Sequence, residues 1–215
     1  MSYSYILDIT LFILKGSIIT FKLYILTAIF SVILGVFGAI GKVAGFKLLK
    51  KLLKIYTWVF RGTPLLLQLF FAYYGLPVLG ITLQPFTAAA LTFILNYAAY
   101  LIEIFRAGIE SIDEGQYEAA KVLGMNYRQT MFRIILPQTI KRVLPPTSNE
   151  AINLVKDSAL VAAIGLGDLL RAAKVIVTRD FSIVPFIIAT IFYLIFSSVI
   201  VTIFSKLEEK YSVYE

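Results

Sequence analysis

The chain has 215 residues, of which 59% are hydrophobic and only 15% are charged, and its formal net charge is +7. Water-soluble domains are about 45–50% apolar and about 25% charged, so these proportions exclude an ordinary soluble domain. The sequence has no cysteine and no histidine, which excludes disulfides, thiol chemistry, the commonest zinc and haem ligands, and a Ser-His or Cys-His nucleophile.

The N-terminus lacks the basic region and the small-residue cleavage site of a secretory signal peptide, so we expect none to be removed. The apolar segment from Tyr5 to Leu14 is too short to cross a bilayer, because a crossing takes about 20 helical residues. We therefore expect this segment to lie along the membrane surface.

Long apolar segments predict an all-α membrane protein with five transmembrane helices in one domain, residues 1–215. Three stretches carry no formal charge, and the longest, 62–102, allows two crossings if it bends at Gly75–Gly80. The segment that begins at Pro146 carries charges but has no soluble domain in which to be buried, so it is counted as a span. The predicted spans are 18–41, 57–78, 84–105, 146–167 and 183–205, with a loop at 106–145.

The distribution of lysine and arginine predicts the orientation of the chain. With five spans, 14 of the 20 cations fall on one side, 5 fall on the other, and Lys156 lies within a span. Because an excess of cations marks the cytoplasmic face, we expect the N-terminus outside and the C-terminus in the cytoplasm. The positive charge is thus interpreted as lipid attraction, above all at Lys47, Lys50, Lys51 and Lys54, and no nucleic acid partner is expected.

Gly35, Gly38, Gly41 and Lys42 superficially resemble a phosphate-binding loop. However, valines occupy positions 36 and 43, where the motif G-x-x-x-x-G-K-[ST] needs glycine and Ser or Thr. The glycines are better interpreted as a small-residue stripe for helix packing. ATP hydrolysis is therefore expected on another chain.

Two polar stripes in the third and fourth predicted spans suggest a path for a substrate. On each helix three polar residues are three and four positions apart, which places them within about 60° of one another, and ionisable residues inside a bilayer are costly and commonly functional. Acidic and amide groups would suit a cation, such as the side chain of arginine or lysine, or an α-amino group. The candidate substrate residues are Asn96, Tyr100, Glu103, Glu150, Asn153 and Asp157.

A structural alternative stays open for these carboxylates. Glu103, Glu150 and Asp157 would then only pair with Arg106, Lys156 or Arg61 and hold helices together. For Asp157 the sequence favours this alternative, with Lys156 as its partner.

The loop between these spans contains a short helix, predicted at 116–123 between Gly115 and Gly124. Gly124 is placed as a left-handed C-terminal stop, and Ser111 with Glu114 is a weak signal for an earlier start. Ala119 and Ala120 expose little side chain, so another protein could approach the backbone closely, and Glu118 offers it a carboxylate. The alternative is an interfacial helix without a partner. Arg128 and Arg133 are candidates to hold the loop onto its own domain.

This loop carries a motif. Glu118-Ala119-Ala120, Gly124, Ile134 and Leu136-Pro137 match E-A-A-x3-G-x9-I-x-L-P without departures. The passage resembles the signature loop of the membrane subunits of ABC importers, the binding-protein-dependent permeases. By this resemblance the residues that couple to an ATPase are Tyr117, Glu118, Ala119, Ala120, Leu123 and Gly124.

Further segments resemble the permeases for polar amino acids of the histidine, glutamine and arginine type, and the resemblance covers about residues 10–205. They are Arg61–Gln68 (RGTPLLLQ), Tyr100–Ile109, and Lys156–Leu160, the last of which departs from K-D-[ST]-S-L at Ala159. From the residues alone, Arg61-Gly62-Thr63-Pro64 is also typical of a helix start at a membrane surface.

The resemblance implies a type I ABC importer permease fold and a multi-pass protein of the bacterial inner membrane. It implies two nucleotide-binding ATPase subunits that carry ATP and magnesium, a second permease subunit, expected to be identical, and an extracytoplasmic amino-acid-binding protein. In this chain we expect no cofactor, no metal and no catalysis.

Two other functions are possible for an apolar chain of this kind, and the sequence disfavours both. An ion-coupled secondary transporter would predict internal repeats and broken midplane helices, but no repeat is visible and five spans suit an inverted pair poorly. A membrane enzyme or sensor scaffold is disfavoured by the missing histidine, cysteine and metal-ligand clusters.

Overall fold

Residues 3–211 are the part of the chain that the computed structural model describes, and within this range there are helices but no strands. The α-helices are α1 (Tyr3–Ala44), α2 (Lys47–Gly62), α3 (Leu65–Phe70), α4 (Pro85–Glu110), α5 (Glu114–Val122), α6 (Tyr127–Thr130), α7 (Leu136–Asp157), α8 (Leu169–Asp180) and α9 (Val184–Tyr211). Short π-helical and 3-10 turns extend α3 to Leu79, join α6 to α7, and extend α7 to Ile164. The predicted all-α class is confirmed.

The helices α1 and α4 form the central pair and run in the same direction. Leu23 shares a buried cluster with Phe93, and further along both helices Gly38 packs against Ile102. A Cβ atom on Gly38 would lie 2.3 Å from the Ile102 Cδ1 atom, so any other residue here would force the Ile102 side chain to move. The predicted small-residue stripe is thus confirmed at Gly38, and Gly35 packs on α4 in the same way.

A sharp break separates α2 from α3, whose axes differ by 103°. The break lies at Gly62–Pro64, where proline lacks the N–H group that would continue the helix. Two side-chain amides satisfy a carbonyl that the break leaves free: Gln68 Nε2 and Asn96 Nδ2 donate to the Phe60 oxygen at 2.9 and 3.0 Å. The second predicted span, 57–78, therefore contains a break that the sequence did not predict, while the predicted turn before α4 is present at Gly80.

The helix α7 runs antiparallel to α4, because Gly108 packs against Val143 while Tyr97 contacts Asp157. It begins at Leu136 and continues through Pro145 and Pro146. The helix thus starts ten residues before the predicted fourth span, 146–167, whose bounds in the membrane stay a prediction. Interior prolines normally break a helix, but both lie inside α7.

At the other end of α1, the helix α8 packs antiparallel to the first turns. The Tyr5 hydroxyl donates to Asp180 at 2.6 Å, and Gly16 lies against the backbone of Asp168. Hydrogen bonds from Arg179 and Tyr5 lower the pKa of Asp180 to about 2. The segment from Tyr5 to Leu14 is thus part of one 42-residue helix, which corrects its prediction as a separate surface segment.

The last helix, α9, follows the direction of α1. Ile9 and Ala189 share one buried cluster, and further along both helices the rings of Phe21 and Phe196 are 4.3 Å apart. One face of α9 stays exposed, with Ile187, Ile191, Leu194 and Val199 among its apolar side chains.

Three helices, α1, α4 and α9, are long and apolar enough to cross a membrane, and α2 with residues 65–79 makes a fourth if the bent pair is one span. The predicted fourth span, now α7, is absent from this set. It carries five charged side chains along its 22 residues, namely Lys141, Arg142, Glu150, Lys156 and Asp157. By length and composition alone, three or four of the five predicted spans are found, and the number five stays a prediction.

Candidate functional site

A polar cavity of about 630 Å³ lies where the break between α2 and α3 faces α4 and α7. Five of the six candidate substrate residues line it: Asn96, Tyr100, Glu150, Asn153 and Asp157. The two stripes that the sequence predicted on separate helices therefore meet, with Glu103 as the exception. Arg61 and Thr63 from the break complete the polar part of the lining.

Asn96 is buried in the wall of the cavity, and its amide nitrogen donates to two acceptors within the protein. Besides the Phe60 carbonyl, its Nδ2 atom donates to Gln68 Oε1 at 3.0 Å. Gln68 in turn donates to the Thr63 hydroxyl at 2.8 Å. Asn96 therefore fixes the shape of the break, which brings Arg61 and Thr63 to the cavity.

Asp157 accepts a hydrogen bond from the Tyr97 hydroxyl at 2.7 Å. The predicted alternative, in which Asp157 holds helices together, agrees with this contact, but the partner is Tyr97 and not Lys156. Neighbouring residues in a helix point in different directions, and Lys156 is exposed. Asp157 thus ties α7 to α4 while still lining the cavity.

Glu150 is half-buried, and its carboxylate makes no hydrogen bond or ion pair within residues 3–211. A buried or half-buried carboxylate normally has a partner, because burial without one costs free energy. Glu150 is therefore the acceptor in this cavity that is available to a ligand.

Arg61 brings a positive charge to the same cavity. Its guanidinium lies 5.4 Å from the centre of the Tyr100 ring, a cation–π contact, and it forms no ion pair in the described part of the chain. The Tyr100 hydroxyl is 3.4 Å from the Arg61 carbonyl oxygen. The cavity therefore offers one free cation beside Glu150 and Asp157.

Glu103 lies outside this cavity, in a separate cleft on the other side of α2. It accepts hydrogen bonds from Lys42, from Thr57 at 2.9 Å and from Arg106 at 2.8 Å. This corrects the prediction that Glu103 shares one path with Asn96 and Tyr100. The structural alternative holds here, since Glu103 joins α1, α2 and α4.

The second candidate site is the loop between α4 and α7. The helix α5 begins after Asp113, whose side chain accepts from the Gly115 N–H at 2.7 Å. It ends before Gly124, which has a φ of +70° and thus the predicted left-handed stop. The observed bounds, Glu114–Val122, start two residues earlier than predicted.

Only some of the predicted coupling residues face outward. Glu118, Ala119, Leu123 and Gly124 are exposed, Tyr117 is half-buried, and Ala120 is completely buried. The expectation that both alanines present a surface is thus corrected: Ala120 packs inward, and its carbonyl accepts from the Met125 N–H at 3.0 Å. Burial also raises the pKa of the Tyr117 hydroxyl.

Beside Glu118 lies an apolar surface that the motif did not identify. Val122, Leu123, Tyr127 and Phe132 are 88%, 76%, 70% and 70% exposed. Exposed large apolar side chains close together mark interaction sites. The spacing of Ala119, Val122 and Leu123, three and four residues apart, was the available signal for this face.

The loop is also attached to its own domain, although the predicted clamps Arg128 and Arg133 have no partner in the described residues. Arg142 donates to the Ser111 carbonyl, and Gln138 donates to Gln116 at 3.2 Å. These contacts connect the start of the loop and the first turn of α5 to α7, so a force on α5 reaches that helix directly.

The comparisons with known proteins agree in one family. The family described as "binding-protein-dependent transport system inner membrane component" matches residues 29–213. The arginine transport system permease protein ArtQ of Bacillus subtilis is 42% identical over 201 residues, which cover 93% of this chain and 92% of that protein. A putative glutamine transport system permease protein GlnP of Rickettsia bellii is 40% identical over 202 residues, 93% of each chain.

A solved structure has the same fold along its length. The crystal structure of an amino acid ABC transporter with histidines superposes with a TM-score of 0.89 at 36% sequence identity, over 98% of this chain and 99% of that chain.

Proposed function

The chain belongs to the family of binding-protein-dependent transport system inner membrane components, and from this premise we propose that it is the membrane-spanning permease subunit of an ATP-driven importer for polar amino acids. The observation that carries the proposal is the cavity at the break between α2 and α3. It combines a free cation, Arg61, with the available carboxylate of Glu150 inside a bundle of apolar helices.

Within this proposal the chain crosses the bacterial inner membrane five times. The helix directions support this number, because α1 and α4 are parallel and the chain must therefore return between them through α2 and α3. The helix α7 is antiparallel to α4 and makes the fourth crossing. The helix α9 is parallel to α1 and makes the fifth. The excess of cations places the N-terminus outside and the C-terminus in the cytoplasm.

The cavity suits a zwitterion. In the proposed complex the Arg61 guanidinium holds the α-carboxylate of the substrate, because guanidinium matches a carboxylate in charge and geometry. Glu150 accepts from the α-amino group or from a cationic side chain. Asn153 and Tyr100 line the same space and are positioned to contact the remainder of the substrate.

We further propose a preference for basic amino acids such as arginine, lysine or histidine. Two carboxylates, Glu150 and Asp157, face one guanidinium across the cavity, so one negative charge remains after the zwitterion is matched. The names of the relatives include both arginine and glutamine transport, and the acidic surplus is the reason to choose the former class.

The exposed face of α5 is the proposed contact with the ATPase. Glu118 and Leu123 would enter a cleft of the nucleotide-binding subunit, with Ala119 allowing close approach. Closure of two such subunits around ATP and magnesium would pull α5 and, through Arg142 and Gln138, the helix α7 that carries Glu150.

The remaining partners follow from this arrangement. Two permease subunits, taken as identical, would enclose one path, and an extracytoplasmic amino-acid-binding protein would deliver the substrate. The ion-coupled alternative is disfavoured by membership in a family whose description names a binding protein.

The test is purification of the tagged chain from bacterial membranes, followed by an assay for ATP hydrolysis. We expect an ATPase to co-purify, and we expect Glu118→Lys and Leu123→Asp to remove it because both change the exposed face of α5. Glu208→Lys, the same charge change near the end of α9, is the control and should retain the ATPase. Absence of ATPase activity from the unaltered chain would overturn the proposal.

A further inference from the structure

The helix α2 has three distinct faces, of which only one packs against the protein. Leu49 and Leu53 lie close to Gly41 at the end of α1, and Thr57 is buried where it contacts Lys42 and Glu103. At 100° per residue these three positions lie within about 80° of one another. The other two thirds of the helix surface face away from the protein.

The second face is an exposed apolar stripe. Leu48, Leu52, Ile55 and Val59 are 61%, 56%, 49% and 41% exposed, and their spacing of four, three and four residues aligns them along the helix. Exposing an apolar stripe of this length to water is unfavourable. The stripe fits a helix that lies at a membrane surface with acyl chains on this side.

The third face is basic. Lys47, Lys50, Lys51, Lys54 and Arg61 fall within an arc of about 100°, and Trp58 projects from the same face with 75% of its surface exposed. Tryptophan is enriched where a membrane meets water. The three faces together are those of an amphipathic helix that contacts lipid and protein at the same time.

On the basic side a cleft of about 400 Å³ opens between α2, the end of α1, and α4. Lys42, Lys50, Lys54, Arg61 and Arg106 line it. Glu103 satisfies Lys42 and Arg106, and Arg106 also pairs with Glu110. Lys50 donates to the Val43 carbonyl at 2.8 Å, but Lys50, Lys54 and Arg61 have no carboxylate partner within residues 3–211.

We propose that this cleft binds the phosphate of an anionic membrane lipid. Several uncompensated cations around one cleft attract an anion, and Trp58, a residue type enriched where a membrane meets water, lines the same cleft. Lys50 and Lys54 would bind the phosphate, and the apolar stripe on the opposite side of α2 would keep the helix at the membrane surface.

The chain contains one tryptophan, Trp58, and it lines the proposed site. The experiment reconstitutes the full chain in phosphatidylcholine vesicles that contain an equal, small mole fraction of either brominated phosphatidylglycerol or brominated phosphatidylcholine. Bromine quenches tryptophan fluorescence on contact. We expect the brominated phosphatidylglycerol to quench Trp58 several-fold more effectively.

Lys50→Gln/Lys54→Gln removes two cations from the cleft and should abolish the several-fold preference for phosphatidylglycerol, since each basic residue near an anionic surface contributes roughly 1 kcal/mol, or about fivefold. The matched control is Lys47→Gln/Lys51→Gln, which removes the same charge from the same helix outside the cleft. It should retain most of the preference.

Three outcomes would overturn the proposal. Equal quenching by both lipids would show no anionic site, and equal losses in the two double variants would show diffuse attraction in place of a site. Abolition of the preference by excess inorganic phosphate would identify the ligand as a soluble anion.

Discussion

The cavity around Glu150 and the cleft around Glu103 both place a carboxylate among membrane-embedded helices, but they treat it in opposite ways. Glu103 is held by Lys42, Thr57 and Arg106. Glu150 faces a cavity of about 630 Å³ without a hydrogen bond or ion pair in residues 3–211. Glu103 is thus paired within the protein, whereas Glu150 remains available to a ligand.

The two carboxylates therefore have different roles, and burying them has different free-energy costs. A satisfied carboxylate fastens helices, and its loss leaves other charges buried without partners. An unsatisfied carboxylate carries a cost in the empty protein that a ligand of opposite charge can offset. Stability should therefore depend on Glu103 and transport on Glu150, and four substitutions test this division.

The largest effect is expected for Glu103→Ala. The side chain of Lys42 is only 9% exposed, and without Glu103 its charge stays in a poorly hydrated place. Loss of one partner of a buried ion pair costs about 3–5 kcal/mol, so the variant should unfold at much lower temperature in a thermal denaturation of the purified complex.

Two controls sharpen this result. Glu110→Ala removes a carboxylate that is 49% exposed and also pairs with Arg106, and exposed pairs contribute about 0–1 kcal/mol, so its melting temperature should barely change. Lys42→Met/Glu103→Ala removes both charges and should recover much of the loss. Equal stability of Glu103→Ala and Glu110→Ala would contradict the structural role of Glu103.

The second-largest effect is expected for Asn96. It lies in the wall of the cavity but, like Glu103, is hydrogen-bonded within the protein. Asn96→Ala removes the donor to the Phe60 carbonyl and to Gln68, and a buried group left unpaired costs about 1–3 kcal/mol. We expect lower thermal stability together with weaker transport, because the break that positions Arg61 loosens. Unchanged stability with reduced uptake would instead make Asn96 a direct ligand.

For Glu150→Gln we expect the reverse pattern. The amide keeps the size of the side chain but removes the charge that would match a cationic substrate, so uptake of basic amino acids should fall by about tenfold, equivalent to about 1.4 kcal/mol. Thermal stability and the basal ATPase activity of the complex should stay unchanged. Uptake into proteoliposomes is the measurement, and equal uptake by variant and parent would remove Glu150 from the substrate site.

The sequence could predict the residues of this region better than their roles. Spacing placed Asn96, Tyr100 and Glu103 on one helical face, and that face exists. It did not show that α2 packs along this face, with Phe60 beside Asn96 and Thr57 beside Glu103, because the 103° break at Gly62–Pro64 depends on tertiary contacts from Gln68 and Asn96. Without the path of α2, the partners Lys42 and Thr57 could not be assigned to Glu103.

The loop and the helix α7 show the same limit. The motif located α5 and its glycine stop to within two residues, because these features are local. The inward orientation of Ala120 depends on how the loop packs, which spacing alone does not give. The helix α7 begins at Leu136 and includes Pro145 and Pro146, which the sequence did not predict, because interior prolines normally break a helix.

The smallest effect is expected for Tyr97→Phe. This substitution removes the partner of Asp157, which then resembles the unpaired Glu150 more than the paired Glu103. The hydroxyl donates to Asp157 at 2.7 Å, and without it the carboxylate faces the cavity with no partner, as Glu150 does. The ratio of basic to neutral amino acid uptake should therefore rise by about twofold, equivalent to about 0.5 kcal/mol, the low end of what one hydrogen bond contributes. Competition assays in proteoliposomes measure this ratio.

The same substitution in the Glu150→Gln background should restore part of the lost uptake, because Asp157 can then take over the role of Glu150. A fall in the ratio in either background would mean that the hydroxyl of Tyr97 itself holds the substrate, and that Asp157 belongs with Glu103 among the carboxylates that only hold helices together.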